Sequence, residues 1–342
     1  MHPHLNKQTF TPEDFPYLIS KEATPHLEQL AQRAHHLTRQ RFGNTMQLFI
    51  PMYLSNLCYN TCTYCSFSIE HKYPRVTLTK DEILKEGYIL KEKGFQHILL
   101  LTGEPPKEVG VHYIAEAIKI LSPLFSSIGI EIQPLNYDDY ITLRKAGVDS
   151  LTLYQETYHP EAYAKYHLSG KKKNFKKRLE AVETGAKAGF YRITLGALLG
   201  LYDWRFEAQA LANRLHDLQT RYWQTKYAVS FPRIKDMITS FQPAYPVTDT
   251  DIVQFICAFR LCFPDIGITL STREPAPLRD HLIKLGITSM SAESHTEPGG
   301  YSGKKTEKQF EVSDTRSLAE IKTLLINNGY EPVMKDWEPI HR

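Results

Sequence analysis

The sequence has little of what marks secreted, membrane-bound or disulfide-stapled proteins. Its 342 residues include only five cysteines, too few and too clustered for a disulfide framework. No apolar run reaches the roughly 18 residues that a membrane-spanning helix needs. The N-terminus also lacks the basic segment and apolar run of a signal peptide. These absences favour a cytoplasmic protein without a membrane partner.

A charge excess of one sign is also missing. The 41 basic and 38 acidic residues leave a net charge of +3, whereas binding to phosphate-rich partners usually requires clustered basic side chains. One short basic run, residues 171–178, lies beside a predicted helix start, and we interpret most of it as a solvated face. The composition therefore argues against nucleic acid as the main partner.

A unit of apolar segment, loop and amphipathic helix recurs along the chain. Thr79 and Glu82, for example, form a capping-box signature, and Gly94 ends the helix that follows. Eight apolar segments predict strands at residues 48–54, 97–101, 128–133, 149–154, 192–199, 226–231, 266–271 and 287–291. Eight such units predict a parallel (β/α)8 barrel. A doubly wound sheet would carry a Gly-rich phosphate turn after its first strand, where this sequence has cysteines.

The predicted organisation has three parts. Residues 1–45 are a mostly helical N-terminal extension, residues 46–330 form the barrel, and residues 331–342 are a short C-terminal tail. Active sites of such barrels lie at the C-terminal ends of the strands. The residues that follow each predicted strand are therefore the candidates for function.

Three cysteines follow the first predicted strand. Cys58, Cys62 and Cys65 are separated by three and then two residues. Three thiolates can hold three irons of a 4Fe-4S cluster, and an open position on the fourth iron is typical of a site that binds a substrate. That iron can chelate the amino and carboxylate groups of S-adenosylmethionine, whose reductive cleavage yields a 5′-deoxyadenosyl radical.

Other metal sites fit these cysteines less well. A zinc site would need a fourth Cys or His at zinc-finger spacing, and a ferredoxin-type cluster would need a fourth cysteine in the same run. The two remaining cysteines, Cys257 and Cys262, lie in an apolar helical segment. Spaced by five residues, they do not share a helix face, and we interpret them as core thiols.

The ends of the second and fourth strands carry polar groups. Thr102, Gly103 and Glu104 offer a glycine that permits close backbone approach and a carboxylate that can accept from an ammonium group. Gln155 and Glu156 can hydrogen-bond ribose hydroxyls, although a solvated polar loop has the same pattern.

Two arginines can bind anions. Arg178 has the fork geometry that suits a carboxylate, but a surface ion pair is the usual fate of a helical arginine. Arg273 follows the seventh strand, two residues after Ser271. A buried arginine there needs an anion, which either a substrate carboxylate or the neighbouring Glu274 would supply.

Longer motifs surround these positions. They include YLSNLCYNTCTYCSFS from residue 53, EIQPLNYDDY from residue 131, LYQETYHPEAYAKYHLSGKK from residue 153, LGALLGLYDWR from residue 195, LSTRE from residue 270, TEPGGY from residue 296 and VMKDW from residue 333. On these motifs the chain resembles the ThiH family, the 2-iminoacetate synthases (tyrosine lyases) of thiamine biosynthesis, within the radical S-adenosylmethionine (SAM) superfamily. The resemblance extends from the first strand to the end of the chain.

The resemblance implies a role for each candidate residue. Cys58, Cys62 and Cys65 would bind the cluster, and Arg273, with Ser271 nearby, would bind the substrate carboxylate. The implied contacts to SAM are Tyr64 near the adenine, Thr102, Gly103 and Glu104 at the methionine amino group, Gln155 and Glu156 at the ribose, and Arg178 at the methionine carboxylate. Thr102 replaces the first glycine of the common Gly-Gly-Glu pattern, and its backbone can still serve.

The implied reaction is cleavage of the Cα–Cβ bond of L-tyrosine to 2-iminoacetate and p-cresol, with methionine and 5′-deoxyadenosine as co-products. The implied partners are the thiazole synthase ThiG, as receiver of the labile imine, and a flavodoxin or ferredoxin-type reductant. Alternatives are a lyase of another aromatic amino acid, a sulfur-inserting enzyme like biotin synthase, and an electron carrier or cluster scaffold. The hydrogenase maturase HydG also cleaves tyrosine, but its C-terminal domain carries further cysteines, and this sequence has none after Cys262.

Overall fold

A closed barrel of parallel strands forms the centre of the computed structural model, which describes residues 7–105, 107–235 and 238–335. The strands in these residues are β1 (Thr45–Ser55), β2 (Thr61–Cys62), β3 (His97–Thr102), β4 (Ser127–Glu131), β5 (Ser150–Glu156), β6 (His167–Ser169), β7 (Arg192–Ala197), β8 (Lys226–Ser230), β9 (Gly267–Leu270), β10 (Ser289–Ser291) and β11 (Glu331–Val333). Eight of them pair in the order β1, β3, β4, β5, β7, β8, β9 and β10, and β10 pairs back with β1. All eight predicted strands are present, and the predicted barrel is confirmed.

Helices alternate with the barrel strands. Those in the described residues are α1 (Phe15–Leu18), α2 (Leu27–Phe42), α3 (Lys80–Glu92), α4 (Val111–Leu121), α5 (Tyr137–Ala146), α6 (Pro160–Tyr166), α7 (Phe175–Lys187), α8 (Trp204–Arg221), α9 (Asp249–Cys262), α10 (Ala276–Leu282) and α11 (Leu318–Asn327). None of these helices is long and apolar enough to cross a bilayer.

Local sequence signals account for several helix ends. The Thr79 hydroxyl accepts from the Glu82 backbone N–H (3.3 Å), and the Glu82 carboxylate accepts from the Thr79 N–H (2.8 Å). This reciprocal pair satisfies backbone donors that the first turn of α3 leaves open. Similar boxes begin α9 at Thr248 and α11 at Ser317. Gly94 follows α3 in the left-handed region, at φ +93°, where glycine carries no steric cost.

The predicted N-terminal extension is helical and packs on α9. The ring of Phe15 in α1 lies edge-on to Phe259, with 4.8 Å between centroids, and α2 runs against the same helix. Cys257 and Cys262 are both buried in α9, as expected for core thiols, and neither forms a disulfide. The extension therefore covers the outer face of one barrel helix.

The segment predicted as a C-terminal tail begins with a strand. β11 pairs in parallel with the first residues of β1, from Thr45↔Glu331 to Gln47↔Val333. Backbone pairing thus joins this segment to the start of the barrel. The last two residues of the VMKDW motif, Asp336 and Trp337, lie outside the described residues.

The barrel interior is hollow. In many (β/α)8 barrels bulky branched side chains fill the centre, but here small or polar residues such as Thr152, Thr194, Ala228 and Gly267 line a cavity of about 1280 Å³ at the N-terminal ends of the strands. A second cavity, of about 130 Å³, lies near the C-terminal ends. Four residues line both cavities and separate one from the other: Phe49, Leu99, Tyr154 and Thr269.

The cap of α3 can be tested by substitution. We expect Thr79→Ala to lower the free energy of unfolding by about 1 kcal/mol, because a backbone N–H loses its acceptor. Thr142→Ala removes an exposed threonine from the interior of α5 and should leave stability unchanged or slightly raised. Urea unfolding followed by circular dichroism measures both. Equal losses in the two variants would show that the capping box does not contribute.

Candidate active site

The cysteine loop lies where β1 leaves the barrel at its C-terminal end. Cys58 and Cys62 are buried, Cys65 is half-buried, and all three are free thiols. β2 pairs antiparallel with β6, which places Cys62 opposite His167, and the Cys65 N–H donates to the Cys62 carbonyl (3.2 Å). Backbone pairing therefore holds the loop over the barrel mouth.

The surroundings of the three sulfurs suit a metal cluster. Side-chain amides of Asn60 and Gln309 approach the sulfurs of Cys58 (3.7 Å) and Cys65 (4.0 Å). Burial raises the pKa of each thiol, for Cys65 to about 11, so a positive ion is needed to stabilise the thiolates. Among the described residues no three His, Cys, Asp or Glu converge as one metal ion requires. In a 4Fe-4S cluster each cysteine binds a different iron, and the donor set present here fits that group.

The end of β3 presses directly on the cysteine loop. The Gly103 N–H donates to the carbonyl of Ser55 (2.8 Å). A Cβ at residue 103 would lie only 2.0 Å from the carbonyl oxygen of Leu57, so this approach requires glycine. The hydroxyl of Thr102 is buried and has no hydrogen-bond partner in the described structure.

Four charged side chains next to this loop form one network, which we call the charge quartet: Glu104, Glu156, Lys172 and Arg178. Arg178 lies 2.9 Å from the Glu104 carboxylate and 3.3 Å from that of Glu156. Lys172 Nζ lies 2.7 Å from the same Glu156 oxygen. The second Glu104 oxygen accepts from Asn60 (2.8 Å), which joins the quartet to the cysteine loop.

The quartet is balanced in charge, and it keeps its carboxylates ionised. Burial alone would raise the pKa of Glu156, but Lys172 and Arg178 outweigh burial and hold this pKa at about 2. The pKa of Glu104 is lowered by the same two cations against the effect of burial. Glu156 also has a positive φ of 70°, an uncommon conformation for a residue other than glycine. Such strain is concentrated at functional sites.

Lys172 is the functional candidate that sequence reasoning missed. The interpretation of residues 171–178 as a solvated face holds for Lys171 and Lys173, which are exposed. It is wrong for Lys172, whose side chain is only 13% exposed and whose N–H donates to Asn60 (3.0 Å). The turn before it needs Gly170, at φ +82°, because a Cβ there would lie 2.3 Å from Asn60 Oδ1. That glycine and the motif LYQETYHPEAYAKYHLSGKK, which ends at Lys172, are the signals that the sequence contained.

Tyr64 belongs to the cysteine loop and faces the charge quartet, with Lys172 Nζ 6.0 Å from the centre of its ring. Its hydroxyl lies 2.8 Å from Nε2 of His167, and Nδ1 of the same ring lies 2.8 Å from the Tyr163 carbonyl. A carbonyl only accepts, so Nδ1 carries the proton and Nε2 accepts from Tyr64. Burial, followed by the charge of Lys172, lowers the pKa of His167 to about 3. A neutral histidine thus fixes the orientation of the tyrosine ring.

The smaller cavity lies beside these groups, with Arg273 opposite them. Tyr64, Cys65 and Glu156 line one side, and Ser271 and Arg273 line another. The Arg273 guanidinium lies over the ring of Phe310, 3.5 Å from its centre. The backbone N–H of Arg273 donates to the Ser271 hydroxyl (3.3 Å). The cavity therefore brings the cysteine loop and this arginine together.

Arg273 has no acidic partner in the described part of the chain. The neighbouring Glu274, which the sequence left open as its partner, instead accepts from Arg233 Nε at 2.8 Å. The pKa of Arg273 is lowered by burial, against the effect of nearby acidic groups. An incoming anion would meet a desolvated guanidinium, which is the setting in which such a contact is strongest.

Comparison with known proteins assigns the family. Residues 52–212 match the Radical SAM superfamily and residues 230–331 match the Biotin and Thiamin Synthesis associated domain. The chain is 45% identical to the 2-iminoacetate synthase of Escherichia coli (strain K12), over 98% of this chain and 89% of the relative. The chain belongs to the 2-iminoacetate synthase family. A second member, from Salmonella typhimurium, is 44% identical with the same coverage.

The fold of this chain is also similar to that of a solved structure. The [FeFe]-hydrogenase maturase HydG matches with a TM-score of 0.92 at 31% identity, over 97% of this chain and 74% of that one. Membership of the radical SAM superfamily implies a 4Fe-4S cluster and SAM, as the sequence predicted.

The predicted residues that do not line the smaller cavity are Cys58, Cys62, Thr102, Gly103, Glu104, Gln155 and Arg178. Gln155 alternates with the inward-facing Tyr154 and points outward, where its Nε2 donates to the Phe175 carbonyl of α7 at 3.3 Å. It lines neither of the two cavities inside the barrel. Glu156 returns to the inner side because β5 has a register shift between Tyr154 and Glu156. Of the pair, the structure brings only the glutamate to the site.

The balance of the quartet can be tested at Lys172. We expect Lys172→Met to lower the free energy of unfolding by up to about 3 kcal/mol, since it leaves the buried Glu156 carboxylate with one of its two cations, Arg178. The double variant Lys172→Met/Glu156→Gln should recover part of that loss. Lys171→Met, one residue away and exposed, should change stability little. Thermal or urea unfolding of the unchanged protein, Lys172→Met, Glu156→Gln and the double variant gives the coupling energy, and purely additive effects would contradict the pairing.

Proposed function

We propose that this protein is a tyrosine lyase of the radical SAM type. It cleaves the Cα–Cβ bond of L-tyrosine to 2-iminoacetate and p-cresol, and it supplies the thiazole moiety of thiamine. The observation that carries this proposal is the 45% identity to a 2-iminoacetate synthase over nearly the whole of both chains. Supporting it, Cys65 of the cysteine loop, Glu156 and Lys172 of the charge quartet, and Arg273 line one cavity.

The cofactors would be held by the cysteine loop and by the groups around it. Cys58, Cys62 and Cys65 would each bind one iron of a 4Fe-4S cluster. When bound, the cluster and SAM supply a 5′-deoxyadenosyl radical, which abstracts a hydrogen atom from the substrate. The close approach of Gly103 to the loop is consistent with a cradle for the methionine end of SAM.

The charge quartet offers a separate group to each part of SAM. The Glu104 carboxylate, with Thr102 beside it, would accept from the methionine ammonium, and Arg178 would donate to the methionine carboxylate. The ribose contact falls to Glu156, since Gln155 faces α7. Tyr64, oriented by its histidine, would pack against the adenine.

Arg273 would bind the carboxylate of tyrosine, with the Ser271 hydroxyl beside it. The aromatic ring would then extend into the cavity along apolar side chains such as Leu99 and Leu101. Enclosure serves the reaction in two ways, because it orients the substrate and excludes the water that would hydrolyse the imine.

The product and the cofactors point to partners. Because the imine is labile, direct transfer to the thiazole synthase ThiG is the fate that best preserves it. Cleavage of SAM needs an electron, for which we propose a flavodoxin or ferredoxin-type donor in the cytoplasm. The absence of a membrane-spanning helix among the described residues is compatible with that location.

Formation of p-cresol tests the proposed reaction. Anaerobically reconstituted protein with SAM, reductant and L-tyrosine should yield p-cresol and 5′-deoxyadenosine, both measured by chromatography. Cys62→Ala should abolish both products, because one iron loses its ligand. Cys257→Ala is the matched control, since that thiol is buried in α9, and it should retain activity. Deoxyadenosine without p-cresol would refute the tyrosine reaction while leaving the radical chemistry in place.

The role of Arg273 predicts a selective binding defect. Arg273→Ala should weaken L-tyrosine binding by about 10- to 100-fold, the usual effect of losing a charge-assisted hydrogen bond, and should leave SAM binding unchanged. Equilibrium titration of the reconstituted protein measures both affinities. Normal tyrosine affinity in this variant would remove the arginine from the substrate site.

A further inference from the structure

Glu131 is a cavity residue to which neither the sequence motifs nor the proposed chemistry has assigned a role. It is the last residue of β4 and pairs with Leu101 of β3. Its neighbour Ile130 points away from the barrel interior and is buried among the core side chains. By the strand alternation the Glu131 side chain points inward, where it lines the smaller cavity with Tyr154.

The Glu131 carboxyl has no protein partner. Within the described residues it makes neither a hydrogen bond nor an ion pair, whereas the carboxyls of Glu104 and Glu156 are each paired with Arg178. Burial, reinforced by Glu156, raises the pKa of Glu131 to about 7, although Arg178, Arg273 and Lys172 oppose that shift. A partly desolvated carboxyl without a donor is unfavourable. Its position at the cavity points to a donor that arrives with a ligand.

The barrel places Glu131 opposite Arg273 and deeper in the cavity. β4 and β9 are four strands apart in an eight-stranded ring, so their ends face each other across the barrel. Glu131 still belongs to its strand, whereas Arg273 lies three residues beyond Leu270, where β9 ends. A tyrosine whose carboxylate meets Arg273 at the rim would therefore direct its ring toward the depth at which Glu131 lies.

Among the described residues, Glu131 and Glu156 are the two carboxyl groups that line the smaller cavity. Glu156 is already paired with Lys172 and Arg178. Arg273 only donates. The hydroxyl of Tyr53 already donates to Gln309 (2.7 Å). Hydroxyls such as that of Ser294 also line the cavity, but Glu131 supplies the carboxyl that has no protein donor in the described structure and can accept from a phenol.

We propose that Glu131 accepts a hydrogen bond from the phenol O–H of bound tyrosine and thereby selects tyrosine over phenylalanine. This inference rests on the proposed function and adds to it the residue that recognises the phenol. Loss of such a contact discriminates strongly, because the analogue without the hydroxyl leaves a buried polar group unpaired.

The test compares two ligands that differ only in the hydroxyl. Dissociation constants for L-tyrosine and L-phenylalanine are measured on reconstituted protein with SAM bound, for the unchanged protein and for Glu131→Leu and Glu131→Gln. We expect the unchanged protein to prefer tyrosine by about 10- to 100-fold. Glu131→Leu should abolish that preference by weakening tyrosine binding alone, and Glu131→Gln should reduce it less because its amide still accepts.

Glu207→Gln is the matched control. Glu207 is also buried with a pKa raised to about 7 by burial, but its carboxylate accepts from the Tyr158 N–H (2.7 Å) and from the Thr157 hydroxyl. It lines neither barrel cavity. Whatever this variant does to stability, the ratio of the two dissociation constants should stay as in the unchanged protein.

The outcomes separate the alternatives. If the Glu131 variants weaken tyrosine and phenylalanine equally, the carboxylate meets the substrate ammonium and the inference is overturned. An unchanged ratio in both Glu131 variants overturns it as well. Absence of p-cresol from the unchanged protein would instead count against the proposed function, so the two failures are distinguishable.

Discussion

The ion-pair network of Glu104, Glu156, Lys172 and Arg178 is the constraint on which the site depends. Its members come from the ends of β3 and β5, from the turn after β6 and from α7. Each charge is nearly removed from water, so each is tolerable only while its partners stay in place. Through Asn60 the network also reaches the cysteine loop. One balanced set of charges thus positions four separate segments against the place where the cofactors are expected.

Backbone geometry adds a second restraint on the same loop. Gly103 and Gly170 both approach it so closely that a single added carbon would clash. The antiparallel pairing of β2 with β6 closes the remaining side. The cysteines are therefore presented by a rigid surface, which is what a preorganised metal site requires.

The hollow interior distinguishes this barrel from (β/α)8 barrels whose centre is filled by bulky side chains. Small residues such as Thr194, Ala228 and Gly267 give up packing that branched side chains would supply. In exchange the barrel gains an open cavity at the N-terminal ends of its strands. The barrel is then stabilised by the apolar side chains packed between its strands and helices, which form one continuous core.

The sequence by itself determined the elements and the cysteine motif, because both are encoded locally. Strand and helix periodicity, the capping box at Thr79 and the glycine after α3 depend on neighbours within a few residues, and their predictions are confirmed. Only the tertiary structure decided which polar side chains meet. Lys172 looked like part of a solvated run, Gln155 looked like a ribose ligand, and Glu131 was the first residue of a motif but had no role of its own. Their positions depend on contacts with residues far away in the chain and on which face of a strand each side chain occupies. In β5, a register shift between Tyr154 and Glu156 changes the face that Glu156 occupies.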